Sequence, residues 1–107
     1  MAKHPIFTLN FAPETIEHLN AIERKHHSLI RKAIHEQLRH TPAVETRNRK
    51  PLEKPVDLGA TWELRFGPQN CFRVLYDVDR KALTVAVLAI GVKVGDRLFV
   101  GGKEIEL

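Results

Sequence analysis

The sequence predicts an α+β domain in which an N-terminal strand and two helices precede an antiparallel β meander. Three apolar runs between Trp62 and Val92 are separated only by two short turn signals, as in strands that are joined by hairpins. Before these runs, apolar residues recur at helical spacing, and near the N-terminus they alternate with polar ones. The 107 residues suffice for one hydrophobic core, so we expect a single domain over 1–107.

The N-terminal elements are predicted from periodicity and from capping signals. Residues 6–11 alternate between apolar and polar, which predicts a strand. Pro13 suits the first turn of a helix, in which apolar residues recur up to Ile22. Ser28 is the predicted N-cap of a second amphipathic helix. This helix should end before Pro42, because the residue that precedes a proline resists the α conformation.

The three strands of the meander differ in their patterns. Apolar and charged residues alternate over 62–66, which is typical of a half-buried strand. Residues 71–78 alternate with a less polar outer face, whereas 83–92 are apolar almost continuously. The third strand is therefore expected in the centre of the sheet, buried on both faces. Glycines in 91–97 should loosen its end, and the short apolar pieces that follow are compatible with a terminal hairpin or an edge strand.

Composition limits the compartment and the class of partner. No apolar run approaches the roughly 20 residues of a membrane span, and the N-terminus lacks the apolar stretch of a signal peptide. Cys71 is the only cysteine, so no intrachain disulfide can form, and we interpret it as a small, half-buried strand residue. Both observations favour the cytoplasm. The net charge of +4 permits a nucleic acid or an acidic protein as partner without selecting either.

Two arginines on neighbouring predicted strands are the main candidates for function. Arg65 and Arg73 should project from the same face of the sheet, and guanidinium groups bind phosphate through two parallel hydrogen bonds. Clustered cations also stabilise the charge that develops in phosphoryl chemistry. The alternative is a structural role, an ion pair with Glu63, which lies on the same face two residues before Arg65. Lysines that would strengthen a phosphate site by converging on this side are Lys50, Lys54 and Lys93.

The sequence shows no signature of a metal or nucleotide cofactor, and none is expected. The six histidines lack partner cysteines and form no His-Glu-x-x-His pair, so we interpret them as solvated surface residues. Residues 91–95 contain two glycines and a lysine but lack the spacing of a phosphate-binding loop. They are predicted to form a turn at the end of a strand.

Four pieces of the chain, in this order, resemble toxins of the RelE/ParE superfamily from bacterial type II toxin–antitoxin modules. They are Lys50-Pro51-Leu52, LGATWELR over 58–65, FRVLYDV over 72–78, and VLAIG over 87–91 followed by Lys93. The resemblance covers the C-terminal two-thirds of the chain through motifs, and the helical part through length and pattern.

The resemblance implies a cytoplasmic toxin that a small antitoxin protein neutralises. RelE-like members cut mRNA on the ribosome without a metal, whereas ParE-like members inhibit DNA gyrase. For a nuclease, matching by position assigns contact with the scissile phosphate to Arg73 and a second catalytic cation to Lys93. Arg65 matches a strand arginine with a structural or RNA-binding role, and we expect Lys50 and Lys54 to bind RNA phosphates with it.

The chain departs from the family pattern at the general acid and base. Thr61 and Glu63 stand where RelE has lysines, and Lys50 stands where YoeB-like members have a glutamate base. Phe99 takes the place of the tyrosine that RelE carries near its C-terminus. Glu63 is therefore the candidate base, with a lysine or histidine as proton donor. These departures leave two alternatives: an inhibitor of DNA gyrase, and a degenerate module that binds only its antitoxin.

Overall fold

The computed structural model describes residues 5–54, 56 and 58–106. An N-terminal strand, β1 (Thr8–Phe11), is followed by two helices, α1 (Thr15–Asn20) and α2 (His27–Leu38). The remaining strands are β2 (Arg49–Pro51), β3 (Trp62–Phe66), β4 (Phe72–Asp79), β5 (Thr84–Val94), β6 (Arg97–Val100) and β7 (Lys103–Ile105). The predicted α+β order of one strand, two helices and an antiparallel meander is confirmed.

One mixed sheet contains all of these strands. β2 to β7 lie side by side in chain order and are antiparallel throughout. β1 pairs in parallel with the first part of β5, from Thr8 opposite Thr84 to Phe11 opposite Val87. β5 therefore has neighbours along both edges, and its predicted central position is confirmed.

The main core lies between the helices and one face of the sheet. Ile30, Ile34 and Leu38 recur every four residues on one side of α2 and are completely buried. They belong to the same apolar cluster as Leu64 of β3 and Val74 of β4. Each such side chain contributes about 1.5–3 kcal/mol when it is removed from water. A smaller cluster lies on the other face and contains Ala60, Leu75, Ala89, Leu98 and Val100.

A β-bulge in β5 decides which face each of its residues occupies. Leu75 of β4 pairs with Ala89, but the next residue, Tyr76, pairs with Val87, so Leu88 is left without an opposite residue. Val87 precedes the bulge and Ile90 follows it, and both consequently lie on the helix-covered face. This reversal explains why the strand shows no simple alternation in sequence.

The limits of several elements differ from the predicted ones. The N-cap of α2 is His26, not Ser28, and it makes no side-chain capping bond. A 3-10 turn over Arg24–His26 leads directly into α2, which places Ser28 inside the first helical turn. β5 continues to Val94 instead of loosening at its first glycine, because β6 pairs with its end. Both C-terminal options are realised, since β6 and β7 form a hairpin and β7 is an edge strand of the sheet.

The long connection between α2 and β3 is anchored by two buried side chains. The Arg49 guanidinium donates hydrogen bonds to the carbonyl oxygens of Val44 and Gln37, both 3.0 Å, and to the Gln37 side chain at 2.6 Å. The buried Tyr76 hydroxyl donates to the carbonyl oxygen of Pro42 at 2.7 Å. These contacts hold β2, which was not predicted, against β3. The predicted turn at residues 56–59 includes Asp57, which lies outside the described residues.

His18 fills a gap along one edge of β5. β1 pairs with β5 as far as Val87 and β6 pairs with it from Gly91, so neither strand covers the backbone between them. The Ile90 amide in this gap donates a hydrogen bond of 3.3 Å to Nδ1 of His18, on α1. This histidine joins the helical layer to the sheet and is not the solvated residue that the sequence predicted.

The burial of His18 predicts a pH-dependent contribution to stability. Burial lowers the pKa of His18 from its ordinary 6.5, against smaller opposing effects of Glu14 and Glu17. Just below pH 6.5, the unfolded chain binds a proton at His18 that the folded chain does not bind. The stability that neutral His18 contributes is therefore fully present above pH 6.5 and is lost as the pH falls through the folded pKa. We expect His18→Gln, which keeps a hydrogen-bond acceptor but cannot titrate, to lose this pH dependence.

Urea-unfolding midpoints of the wild type and of His18→Gln, measured between about pH 5.5 and 7.5, test this expectation. The difference between the two midpoints should change as the pH falls, with the wild type losing more stability. Parallel pH dependences would contradict the role of neutral His18.

Gly91 permits the close approach of β5 and β6. A Cβ at this position would lie 2.6 Å from the carbonyl oxygen of Phe99 and 2.9 Å from a methyl carbon of Val100. We expect Gly91→Ala to lower the free energy of unfolding by about 1–3 kcal/mol, because the backbone of β6 must move away. Urea unfolding at neutral pH measures this change, and an unaltered midpoint would contradict the close approach.

Candidate functional site

Arg65 and Arg73 lie on the sheet face opposite the helices. They are directly paired across β3 and β4, where opposite side chains have Cβ atoms about 4.5–5.5 Å apart. The residues that flank them, such as Leu64 and Val74, are in the main core, so alternation directs the arginines to the other face. Two like charges in this arrangement repel each other and require a counter-charge.

Glu63 supplies this counter-charge from the same face. Its side chain is only 2% exposed, and its Oε1 accepts a hydrogen bond of 2.7 Å from Nε of Arg65. Its Oε2 lies 3.3 Å from Nη1 of Arg73, close enough for an ion pair, but no hydrogen bond reaches this buried oxygen from the described residues. The three side chains form a triad with two positive charges and one negative charge, in which Glu63 and Arg73 are buried and Arg65 is partly exposed.

Arg73 is held by the turn that precedes its strand. Nε of Arg73 donates to the carbonyl oxygen of Asn70 at 3.0 Å. This turn has positive φ at Gly67 (81°) and also at Gln69 and Asn70 (both 54°), a conformation that side-chain-bearing residues adopt infrequently. The amide of Lys93 donates to the carbonyl oxygen of Cys71 in the same turn at 2.7 Å. The turn therefore holds both the side chain of Arg73 and the backbone of Lys93.

A cleft of about 400 Å³, called here the Arg73 cleft, is lined by Arg73 and Lys93. Lys93 lies on this face because the bulge at Leu88 has reversed the alternation of β5. Three carboxylates that the sequence did not single out also line this cleft, and they belong to the β6–β7 hairpin and its flanks: Asp96, Glu104 and Glu106. No motif marks them, since the hairpin reaches the cleft only through sheet pairing.

A second cleft of about 620 Å³, called here the Lys50 cleft, lies on the other side of the triad. Lys50 pairs with Glu63 across β2 and β3, and its Nζ lies 3.3 Å from a carboxylate oxygen of Glu45. Lys54 and Arg65 line the same cleft. The candidate cations therefore do lie on one side of the sheet, and their roles remain predictions.

The two clefts together are not strongly positive. Their linings hold five lysine and arginine side chains and six acidic ones, when Glu45 and Glu53 are included with the carboxylates already named. Such a surface can recognise a phosphate only locally, where the guanidinium of Arg73 and the ammonium of Lys93 face the same space. Within the described part of the chain, no group of three or more histidine, cysteine, aspartate or glutamate side chains could hold a metal ion.

Comparison with known proteins relates this chain to others through its fold. No protein-family model and no curated protein sequence matches it. It is similar to a chain of the toxin–antitoxin complex RelBE2 from Mycobacterium tuberculosis, with a TM-score of 0.68 and 22% identity, over 87% of this chain and 98% of that one. Among the described helices, none is long and apolar enough to cross a membrane. The RelE-like α+β fold that the sequence motifs predicted is confirmed.

Proposed function

We propose that this protein is the toxin of a toxin–antitoxin pair and that it acts as a metal-independent mRNA endoribonuclease on the ribosome. The fold that it shares with a chain of the RelBE2 toxin–antitoxin complex supports the toxin assignment. The observation that carries the nuclease assignment is the Arg73 cleft, in which a buried arginine and a lysine face one space beside a preorganised turn. Its partners would be a small antitoxin protein, the ribosome and its mRNA.

The chemistry that suits this cleft is attack by an RNA 2′-oxygen on the adjacent phosphorus. The 2′-hydroxyl gives its proton to a base, the bond from phosphorus to the 5′-oxygen breaks, and this leaving oxygen takes a proton from a donor. The guanidinium of Arg73 would bind the non-bridging phosphate oxygens and stabilise their growing charge. The ammonium of Lys93, in the same cleft, is suited to stabilise or protonate the leaving oxygen.

Glu63 is better suited to position the arginines than to act as the base. Its carboxylate is 2% exposed, and its two oxygens face Arg65 and Arg73, so a 2′-hydroxyl could reach it only after these side chains move. Its negative charge offsets the repulsion between the paired guanidiniums. The carboxylates that line the Arg73 cleft, such as Asp96 and Glu104, are more accessible candidates for the base.

Replacing Arg73 should abolish cleavage. In a cell-free translation reaction followed by primer extension, we expect the wild type to cut within translated codons and Arg73→Gln to cut about 100-fold or more slowly, because one preorganised contact to the transition state is lost. Arg80→Gln, in the exposed turn between β4 and β5, removes the same charge away from the clefts and should leave cleavage unchanged.

Thermal unfolding of each variant separates a loss of chemistry from a loss of fold, since Arg73→Gln removes one partner of the buried Glu63. Equal cleavage by wild type and Arg73→Gln would contradict the phosphate-binding role. Intact messages with the wild type and with every variant would contradict the nuclease proposal. Inhibition of supercoiling by DNA gyrase would then be the next assay.

Glu63→Gln should weaken both the fold and the site. We expect the free energy of unfolding to fall by about 2 kcal/mol, less than for a fully buried pair because the Arg65 side chain is 40% exposed. If Glu63 positions the arginines, the variant should cleave more slowly while the pH dependence of its rate keeps the wild-type shape. Glu63→Asp should recover part of the rate.

The pH dependence distinguishes the two roles of Glu63. A general base makes the rate rise with pH as the carboxylate ionises, and its removal abolishes that rise. A Glu63→Gln profile that has lost its acidic limb would therefore support the base role and contradict positioning.

A further inference from the structure

The net positive charge of this protein comes from one segment, residues 24–40. This segment contains five of the 17 lysines and arginines but only one of the 13 acidic residues, Glu36, and therefore carries a charge of +4. The other 12 lysines and arginines and 12 acidic residues of the chain balance each other. The whole net charge of the protein, +4, thus resides in a segment that contributes nothing to either cleft.

The fold places these cations on the outer side of the helical layer. α2 buries Ile30 and Ile34 against the sheet, whereas Arg31, His35 and Arg39 are exposed. These three residues are spaced four apart, so they form a row in which successive side chains are separated by about 6 Å along the helix axis. This row, called here the α2 row, faces away from the sheet and hence from the Arg73 cleft.

The cations of the α2 row are free to contact a partner. Among the described residues, no carboxylate lies within 4 Å of Arg24, Arg31 or Arg39, whereas Lys32 is paired with Glu36 at 3.9 Å. At the N-terminal end of the row, Arg24, His27 and Arg31 line an open groove of about 630 Å³. The one acidic residue of this groove, Glu23, is itself 3.5 Å from Lys25.

We propose that the α2 row, with Arg24, is a second RNA-binding surface that contacts the phosphate backbone of folded RNA. The inference deepens the proposed function, on which its biological meaning rests, because folded RNA surrounds a message that is being translated. The sheet face would hold the strand that is cut, and the α2 row would hold RNA on the opposite side of the protein. Since the clefts are charge-balanced, most of the long-range attraction to RNA would come from α2.

The chemistry of the row favours phosphate over other anionic partners. Its strongest cations, Arg31 and Arg39, are arginines, whose planar fork matches two phosphate oxygens. A membrane surface would require a broad apolar face beside the cations. The apolar side of α2 is instead buried in the core.

Fluorescence anisotropy with a labelled RNA hairpin, at several salt concentrations between about 50 and 200 mM, tests this surface. We expect Arg31→Gln/Arg39→Gln to bind more weakly than the wild type and to reduce the slope of log K against log salt by about 2, one for each lost phosphate contact. The matched control is Arg80→Gln/Lys81→Gln, which removes the same charge from the exposed turn between β4 and β5 and should reduce the slope much less. Glutamine is a good helix former, so the α2 variant should remain folded, which thermal unfolding checks.

The outcome is separable from that of the nuclease proposal. Arg73→Gln should lose cleavage but reduce the slope of log K against log salt by at most about 1, because it removes one phosphate contact in the cleft and none in the α2 row. Equal weakening by the α2 pair and the turn pair, or no weakening by the α2 pair, would overturn the RNA-binding surface. Binding of poly-glutamate as tight as that of the hairpin, lost in the same α2 variant, would overturn RNA in favour of an acidic protein partner.

Discussion

Arg65 and Arg73 occupy opposed positions on two neighbouring strands, and the carboxylate of Glu63 is buried against both of them. Without this carboxylate, two guanidiniums at paired positions would weaken the sheet. With it, the carboxylate of Glu63 and the guanidinium of Arg73 are largely removed from water, so that loss of either partner is costly, whereas Arg65 stays partly exposed. The stability of the central strands and the geometry of the candidate site therefore depend on the same three side chains.

Two other features support this triad from a distance. The turn before β4 anchors Arg73 through the carbonyl oxygen of Asn70, and it anchors the end of β5 through the carbonyl oxygen of Cys71. On the opposite side, Arg49 and Tyr76 tie the long connection to the core, which brings Lys50 next to Glu63. The segments that carry the candidate cations on both sides of the triad are thus held by hydrogen bonds to backbone carbonyls, which depend less on salt than surface ion pairs do.

The candidate site and the net positive charge lie on different surfaces of this protein. The sheet face holds closely packed charges of both signs, which suits local recognition and chemistry. On the outer side of the helical layer, Arg31 and Arg39 have no carboxylate partner among the described residues, which suits attraction over a longer range. This division would let a protein attract a polyanion through its helical layer without placing a high net charge in the candidate site.

Much of the fold could be predicted because half-buried strands and amphipathic helices impose simple periods. Alternation over 62–66 and 71–78 identified β3 and β4, since one face of the sheet is covered by helices. β2 escaped prediction because it is only three residues long and is held by distant contacts of Arg49 with Gln37 and Val44. The start of α2 at His27 was not predicted because a 3-10 turn, not a side-chain cap, begins the helix.

The sequence by itself determined that Glu63, Arg65 and Arg73 share one face, since on both strands they alternate with apolar residues that must face the core. Only the tertiary structure decided that Lys93 joins them. The unpaired Leu88 shifts the register of β5 against β4, and without this shift the side chain of Lys93 would lie on the helix-covered face. Such a shift depends on how two strands pair, which no local pattern encodes. The carboxylates of the C-terminal hairpin reach the Arg73 cleft for the same reason, through the pairing of β5, β6 and β7.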